Sequence, residues 1–303
     1  MAAEPVALNP EDPSQQTVGR LRYMGGLVLR SEDARFGGIS GLRWDFGHNH
    51  LIAITDQGDF MSLKTRESGK RLLGIGAVQI RRLSGQDGAP ISGKDEADAE
   101  ALEFGFNNTL LIAFERDHRI WQYDRDDAGW PGTPRDAGYP SPAWRGGLTD
   151  NGGIEAIAMA PMDMGLAWFL FGEDMRQDAD TVPFLVRFSH PLPIETPRTA
   201  RLPEPFKPTD AAGDGRRGGI LLLSRSFSQL QGVGARLDSV QLDNIGAASS
   251  THIATLRPPL TVDNMEGLAV RVVAGRTFLY IVSDDNFSPL QRTLLMKFEL
   301  MPE

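Results

Sequence analysis

The chain has 303 residues, 41% of them hydrophobic, with a formal net charge of −9 and no cysteine. The charge excludes a general nucleic-acid binder, which needs a basic field to displace counterions, and suits a surface that gathers cations. Without cysteine there are no disulfides, thiolate zinc sites or cysteine nucleophiles, and no segment has the apolar length that spans a membrane.

Residues 1–16 are polar and proline-rich and read as a flexible N-terminal arm ahead of one domain over 17–303. Met1-Ala2-Ala3-Glu4-Pro5 has no apolar h-region, so no signal peptide is expected as written; it looks like a mature end left after cleavage at a small-residue site. Residues 17–29 alternate apolar and polar side chains around Gly25-Gly26 and predict a strand.

From there a short motif recurs five times. It reads Ile39-Ser40-Gly41-Leu42, Ala99-Glu100-Ala101-Leu102, Ile154-Glu155-Ala156-Ile157, Thr209-Asp210-Ala211-Ala212 and Met265-Glu266-Gly267-Leu268. The polar positions 40, 100, 155, 210 and 266 are separated by 60, 55, 55 and 56 residues. After each copy comes a short apolar run ending in a polar residue: 51–55 into Asp56, 110–114 into Glu115, 168–172 into Glu173, 220–224 into Arg225 and 278–283 into Asp284. Runs so short and rich in branched and aromatic residues predict strands. Third strands are expected at 60–63, 119–123, 184–188 and 294–298.

Antiparallel meanders at this period predict an all-β chain folded as a single β-propeller. Five blades is the preferred count and six the alternative, with the N-terminal strand pairing into the last blade to close the ring. The start of each inner strand then lies beside the end of the second strand. Ser40 is expected near Asp56, Glu100 near Glu115, Glu155 near Glu173, Asp210 near Arg225 and Glu266 near Asp284, ringing one mouth of the central channel.

Between these units, Phe114-Glu115-Arg116-Asp117-His118-Arg119-Ile120 places five ionisable groups in seven residues at a predicted strand end. Residues 125–153 carry four prolines, with Trp130, Tyr139 and Trp144, and are expected to form a long ordered loop, either a lid or a cover. No phosphate loop, zinc-type histidine pair or nucleophile elbow occurs.

The run Ser283-Asp284-Asp285-Asn286-Phe287 to Gln291-Arg292-Thr293, with the 114–120 stretch and Gly153-Ile154-Glu155-Ala156, resembles the family described as having esterase-like activity of phytase. The resemblance covers roughly residues 18–300. It implies a β-propeller, kinship with calcium-dependent propeller phytases, and a periplasmic or secreted location.

Two functions follow as expectations. The first is a metal-dependent hydrolase, with calcium as the cofactor, acting on a phosphate or carboxylic ester at the acidic mouth. Carboxylates from different strands suit a hard cation: Glu100, Glu155, Asp210 and Glu266, helped by Asp56, Glu173, Asp284 and Asp285. Glu115, Arg116, His118, Arg225 and Arg292 form the catalytic set. Only five lysines occur and none lies in the motifs, so the arginines would hold the anion. The second is a non-catalytic periplasmic propeller that binds a metal or ligand, or acts as a scaffold. There the arginines neutralise neighbouring acids, and the recurring carboxylates cap strand amides. Either way the ligand is expected to be small and polar or phosphorylated, and the protein a monomer.

Overall fold

The computed structural model describes residues 1–138, 148, 152–163, 165–172, 179–188, 194–230, 232–243 and 248–302. With 64% strand and 1% helix, the chain is all-β, and five blades stand in a ring. The N-terminal segment supplies β1 (Ala2–Val6), β2 (Thr17–Val18) and β3 (Leu21–Arg30). Blade 1 is β4 (Ile39–Asp45), β5 (His50–Thr55), β6 (Asp59–Ser68) and β7 (Arg71–Arg82). One helical turn, α1 (Lys94–Ala97), leads into blade 2: β8 (Ala99–Phe104), β9 (Thr109–Phe114), β10 (Arg119–Arg125) and β11 (Pro131–Asp136). Blade 3 is β12 (Ile154–Met162), β13 (Gly165–Gly172), β14 (Thr181–Phe188) and β15 (Ile194–Arg201). Blade 4 is β16 (Lys207–Gly213), β17 (Gly219–Ser228), β18 (Gly232–Leu242) and β19 (Ala248–Leu256). Blade 5 holds β20 (Met265–Val273), β21 (Arg276–Ser283) and β22 (Thr293–Leu300), completed by β3.

The ring closes as the sequence predicts. β3 pairs antiparallel with β22 from Leu29 opposite Thr293 to Leu21 opposite Leu300. The first sixteen residues are not a loose arm. β1 adds to the far edge of β3, Leu8 is fully buried, and Thr261 N–H and Oγ1–H donate to the carbonyls of Leu8 and Ala7. Burial of Leu8 and pairing of an otherwise open edge outweigh the polar composition, and Pro5 is tolerated because β1 is an edge strand. The expected loop 125–153 is likewise part strand: β11 is the outer strand of blade 2, where proline costs no ladder bond to a further neighbour. Trp130 packs edge-on against Phe60 of blade 1. Tyr139 and Trp144 lie outside the described residues.

Each inner strand packs against the inner strands of the two adjacent blades, and five apolar clusters fill the seams. The close approach explains the small residue in the motif. A Cβ on Gly267 would lie 2.9 Å from the Cβ of Leu42 and 2.6 Å from Val282.

Arg43 plugs the axis. Its buried guanidinium donates to the carbonyls of Leu42, Ile157, Ala211 and Leu268, to both oxygens of Asp210 at 2.9 and 3.0 Å, and to Glu103 at 3.3 Å. One side chain therefore bonds to all five blades. Burial works against its charge, but Asp210 and Glu103 outweigh that and hold its pKa above the ordinary arginine value. Burial pushes the two carboxyls upward, opposed first by Arg43.

Candidate active site

The inner strands all break register at one place. The ladder slips between Ile39 and Gly41, Ala99 and Ala101, Ile154 and Ala156, Pro208 and Asp210, and Met265 and Gly267. The extra residue of each bulge is Ser40, Glu100, Glu155, Thr209 or Glu266. A bulge re-aims one side chain out of the pleat, which is why a polar residue recurs there. In blade 4 the bulged residue is Thr209, so the expected place of Asp210 is corrected by one position. Asp210 occupies the small-residue site, is fully buried, and accepts from Arg43, Leu268 N–H and Ala211 N–H. It belongs to the axial plug and is not a mouth ligand.

The bulged residues divide by chemistry. Ser40 and Thr209 donate their hydroxyls to the next blade, to the carbonyls of Ala99 and Met265. The three glutamates reach instead toward the channel mouth. Burial first, then the charges of Glu155, Asp98, Glu115 and Glu266, push the Glu100 carboxyl well above its usual range. Oxygens of Asp98, Glu100 and Glu115 lie within 4.8 Å of one another. Pairing of the end of β9 with the start of β8 makes this meeting, through the Glu115 N–H to Asp98 carbonyl bond of 2.8 Å. Gly153 N–H donates to Glu115 at 3.3 Å.

Asp98 and Lys94 are functional candidates that motif reasoning misses. Lys94, on α1, sits 3.1 Å from both Asp56 and Asp98 and so ties blade 1 to blade 2. Arg116, in a left-handed conformation at φ 61°, donates to Asp98 at 2.7 Å and lies 3.6 Å from Asp95. Alternation back from Glu100 points to Asp98; Lys94 carries no motif signal.

Across the mouth, Arg225 Nε stands 3.0 Å from Glu266 and its NH1 donates to Asn264 at 3.2 Å. Asp284 is pushed up to about 7, chiefly by burial, with Asp56 and Asp285 adding and the Asn286 amide and Arg225 opposing. Asp285 builds its loop: its oxygens accept from Gly38 N–H, Phe287 N–H and the Thr293 hydroxyl. Arg292 is joined to Asp263 at 3.1 Å and to the Val262 carbonyl. His118 is half-buried in the turn after Arg116. Glu173 lies outside the described residues.

A family model described as phytase-like, esterase-like activity of phytase, matches residues 34–287. The chain belongs to this family. The phytase-like propeller has no match among curated proteins. Among solved structures it is similar to a thermostable family-43 glycoside hydrolase, at 10% identity over 86% of this chain and 89% of that one, with TM-score 0.51. Looser likenesses are a glucose dehydrogenase (10% identity, 91% and 98% covered, TM-score 0.44) and the Dos1 propeller (11%, 94% and 70%, TM-score 0.38). At such identities the likeness concerns the fold alone. Family and fold together support a hydrolase-like propeller. Among the described residues no helix is long and apolar enough to cross a membrane.

Proposed function

We propose that the phytase-like propeller is a calcium-dependent hydrolase of phosphate or carboxylic esters, working at the mouth ringed by Glu100, Glu155 and Glu266. The observation that carries this reading is the Asp98–Glu100–Glu115 cluster: three carboxylates from two strand ends and a bulge, within 4.8 Å, with Glu100 held far from its ordinary ionisation. Carboxylates this close repel one another, and hard oxygen donors converging from separate strands fit a calcium-like ion. Asp98, Glu100 and Glu115 would hold it, with Glu155 beside them. A bound ion of this kind supplies Lewis acidity and charge neutralisation.

The remaining chemistry falls to the chain. Half-exposed Arg225 receives the anionic end of the substrate, its guanidinium positioned by Glu266 and Asn264. Asp284, ionising about neutrality, exchanges a proton with water or the leaving group. Arg116 orients Asp98. Arg292, Asp285 and Asp210 serve the architecture. The protein acts as a monomer on a small polar or phosphorylated ligand outside the cytoplasm, where free calcium is plentiful.

The test is hydrolysis of chromogenic phosphomonoesters and carboxylic esters by the purified protein, in calcium and in EDTA, beside Glu100→Gln and Arg225→Gln. Turnover that needs calcium and is lost in both variants supports the reading. Equal turnover in calcium and EDTA would refute the calcium dependence, and an inert wild type that binds calcium would leave the non-catalytic binding propeller in its place.

A further inference from the structure

On the face opposite the mouth, at the seam of blades 4 and 5, lies a cleft of about 390 Å³. Four arginines line it: Arg20 and Arg22 at the start of β3, Arg216 in the β16–β17 turn and Arg276 at the start of β21. Among the described residues two carboxylates line it with them, Asp214 and Glu299. In a chain with a net charge of −9 this is a local reversal of sign.

The two signs differ in depth as well as number. The carboxylates form the wall, with side chains 3% and 7% exposed, whereas Arg22, Arg216 and Arg276 are 50%, 58% and 39% exposed. Each acid positions a guanidinium. Asp214 accepts from Arg216 Nε at 2.7 Å, while the same arginine donates to Ser239 at 2.9 Å. Glu299 pairs with Arg276 and lies 3.9 Å from Arg22. Arg20 is fixed by the Met301 carbonyl, reached by Nε at 3.3 Å and NH2 at 3.0 Å. Guanidinium groups held in this way by buried acceptors lose little further freedom on binding, and their planar donor forks match oxyanions.

We propose that this cleft binds a small, multiply charged oxyanion of the phosphate class. Its volume takes more than one phosphate group, and its four cations come from three separate chain segments, which suits a compact ligand with two or more anionic groups. The site stands apart from the channel mouth and does not depend on its chemistry.

The experiment is calorimetric titration of the full chain with sodium pyrophosphate and with orthophosphate, in EDTA so that the acidic mouth holds no metal. Arg22→Gln, Arg216→Gln and Glu100→Gln are compared. Saturable pyrophosphate binding is expected, weakened about tenfold or more in each arginine variant by loss of a charge-assisted contact, and unchanged in Glu100→Gln. Arg22 makes no close ion pair, so its variant keeps the test valid if Arg216→Gln unfolds. Absence of saturable binding, or wild-type affinity in Arg22→Gln, would overturn the assignment, as would loss of binding in Glu100→Gln. Sedimentation with phosphatidic acid vesicles that pyrophosphate fails to displace would also overturn it, since the phosphate would then be a lipid headgroup.

Discussion

Neutralising Glu100 tests the electrostatics of the mouth without removing side-chain volume. Asp98, Glu100 and Glu115 present oxygens within 4.8 Å of one another. Two unit charges at that separation repel by about 0.9 kcal/mol at the dielectric constant of water and about 3.5 kcal/mol at an effective value of 20. Glu100 takes part in two of the three pairs, and Lys94 and Arg116 offset part of the charge on Asp98. At a pH where Glu100 is ionised in the folded protein, the net gain expected from Glu100→Gln without metal is therefore about 2 kcal/mol, or roughly 4 °C in Tm for a domain of this size.

The pH dependence has a fixed sign. A carboxyl whose folded pKa is raised contributes stability below its unfolded value, near 4.5 here, and loses it as pH rises through the folded value. Wild-type Tm in EDTA should fall as pH climbs from that value, and Glu100→Gln should flatten the slope. Calcium at a hundred times its Kd should restore about 2.7 kcal/mol, or roughly 5 °C, to wild type and little to the variant. Thermal unfolding by circular dichroism across pH, with and without calcium, reads all of this. A variant less stable than wild type at every pH, with an undiminished calcium response, refutes the reasoning.

Arg43→Ala leaves Asp210 and Glu103 buried without their cation, and should cost about 3–5 kcal/mol in denaturant unfolding; an unchanged midpoint would mean the axis is not held by this side chain. Asp284→Asn should remove a stability contribution that is full below pH 3.8 and lost as pH rises through about 7, and should abolish any inflection in rate near pH 7. A persisting inflection would assign the proton to another group. Gly38→Ala places a Cβ 2.2 Å from Asp56 and 2.6 Å from the Phe287 ring at a backbone φ of 60°, so a loss of about 1–3 kcal/mol is expected in chemical denaturation; a neutral result would show that the 284–287 loop can yield.

What the sequence discloses follows from what repeats. A bulge at one place in every inner strand imposes a polar residue followed by a small one, so blade number and the positions of Glu100, Glu155 and Glu266 are readable from spacing. Blade 4 misleads because Thr209-Asp210 offers two polar residues, and polarity alone favours the carboxylate. Only the pairing of Pro208 with Ser224 and Asp210 with Leu223 shows which one bulges. Arg43 is hidden for the opposite reason. It occurs in one blade only, and a charged side chain in an otherwise apolar strand gives no hint that it reaches five blades. Lys94 escapes because it lies in the loop ahead of blade 2, outside the repeated motif. The outer strands β1 and β11 contain prolines that central strands exclude, and only their edge positions make them possible.

The propeller axis therefore carries two charge clusters of opposite character. In the plug, Arg43 meets two carboxylates and four carbonyls, so the buried charges are saturated by hydrogen bonds and have no capacity left for a ligand. At the mouth, Lys94, Arg116 and Arg225 are set against Asp98, Glu115, Glu266 and Asp56, while Glu100 stands among like charges. A cluster of carboxylates costs stability, and its repulsion tends to spread the strand ends that carry it unless something holds them together. The plug supplies that restraint: by bonding to every inner strand it sets the distance between the bulges that carry Glu100, Glu155 and Glu266. Loosening the plug should then relax the mouth as well, so that a calcium response which depends on spacing fades in a folded Arg43→Lys protein even though Arg43 is not itself a mouth residue. A calcium response identical to wild type in that variant would show that the mouth is organised blade by blade, without the axis.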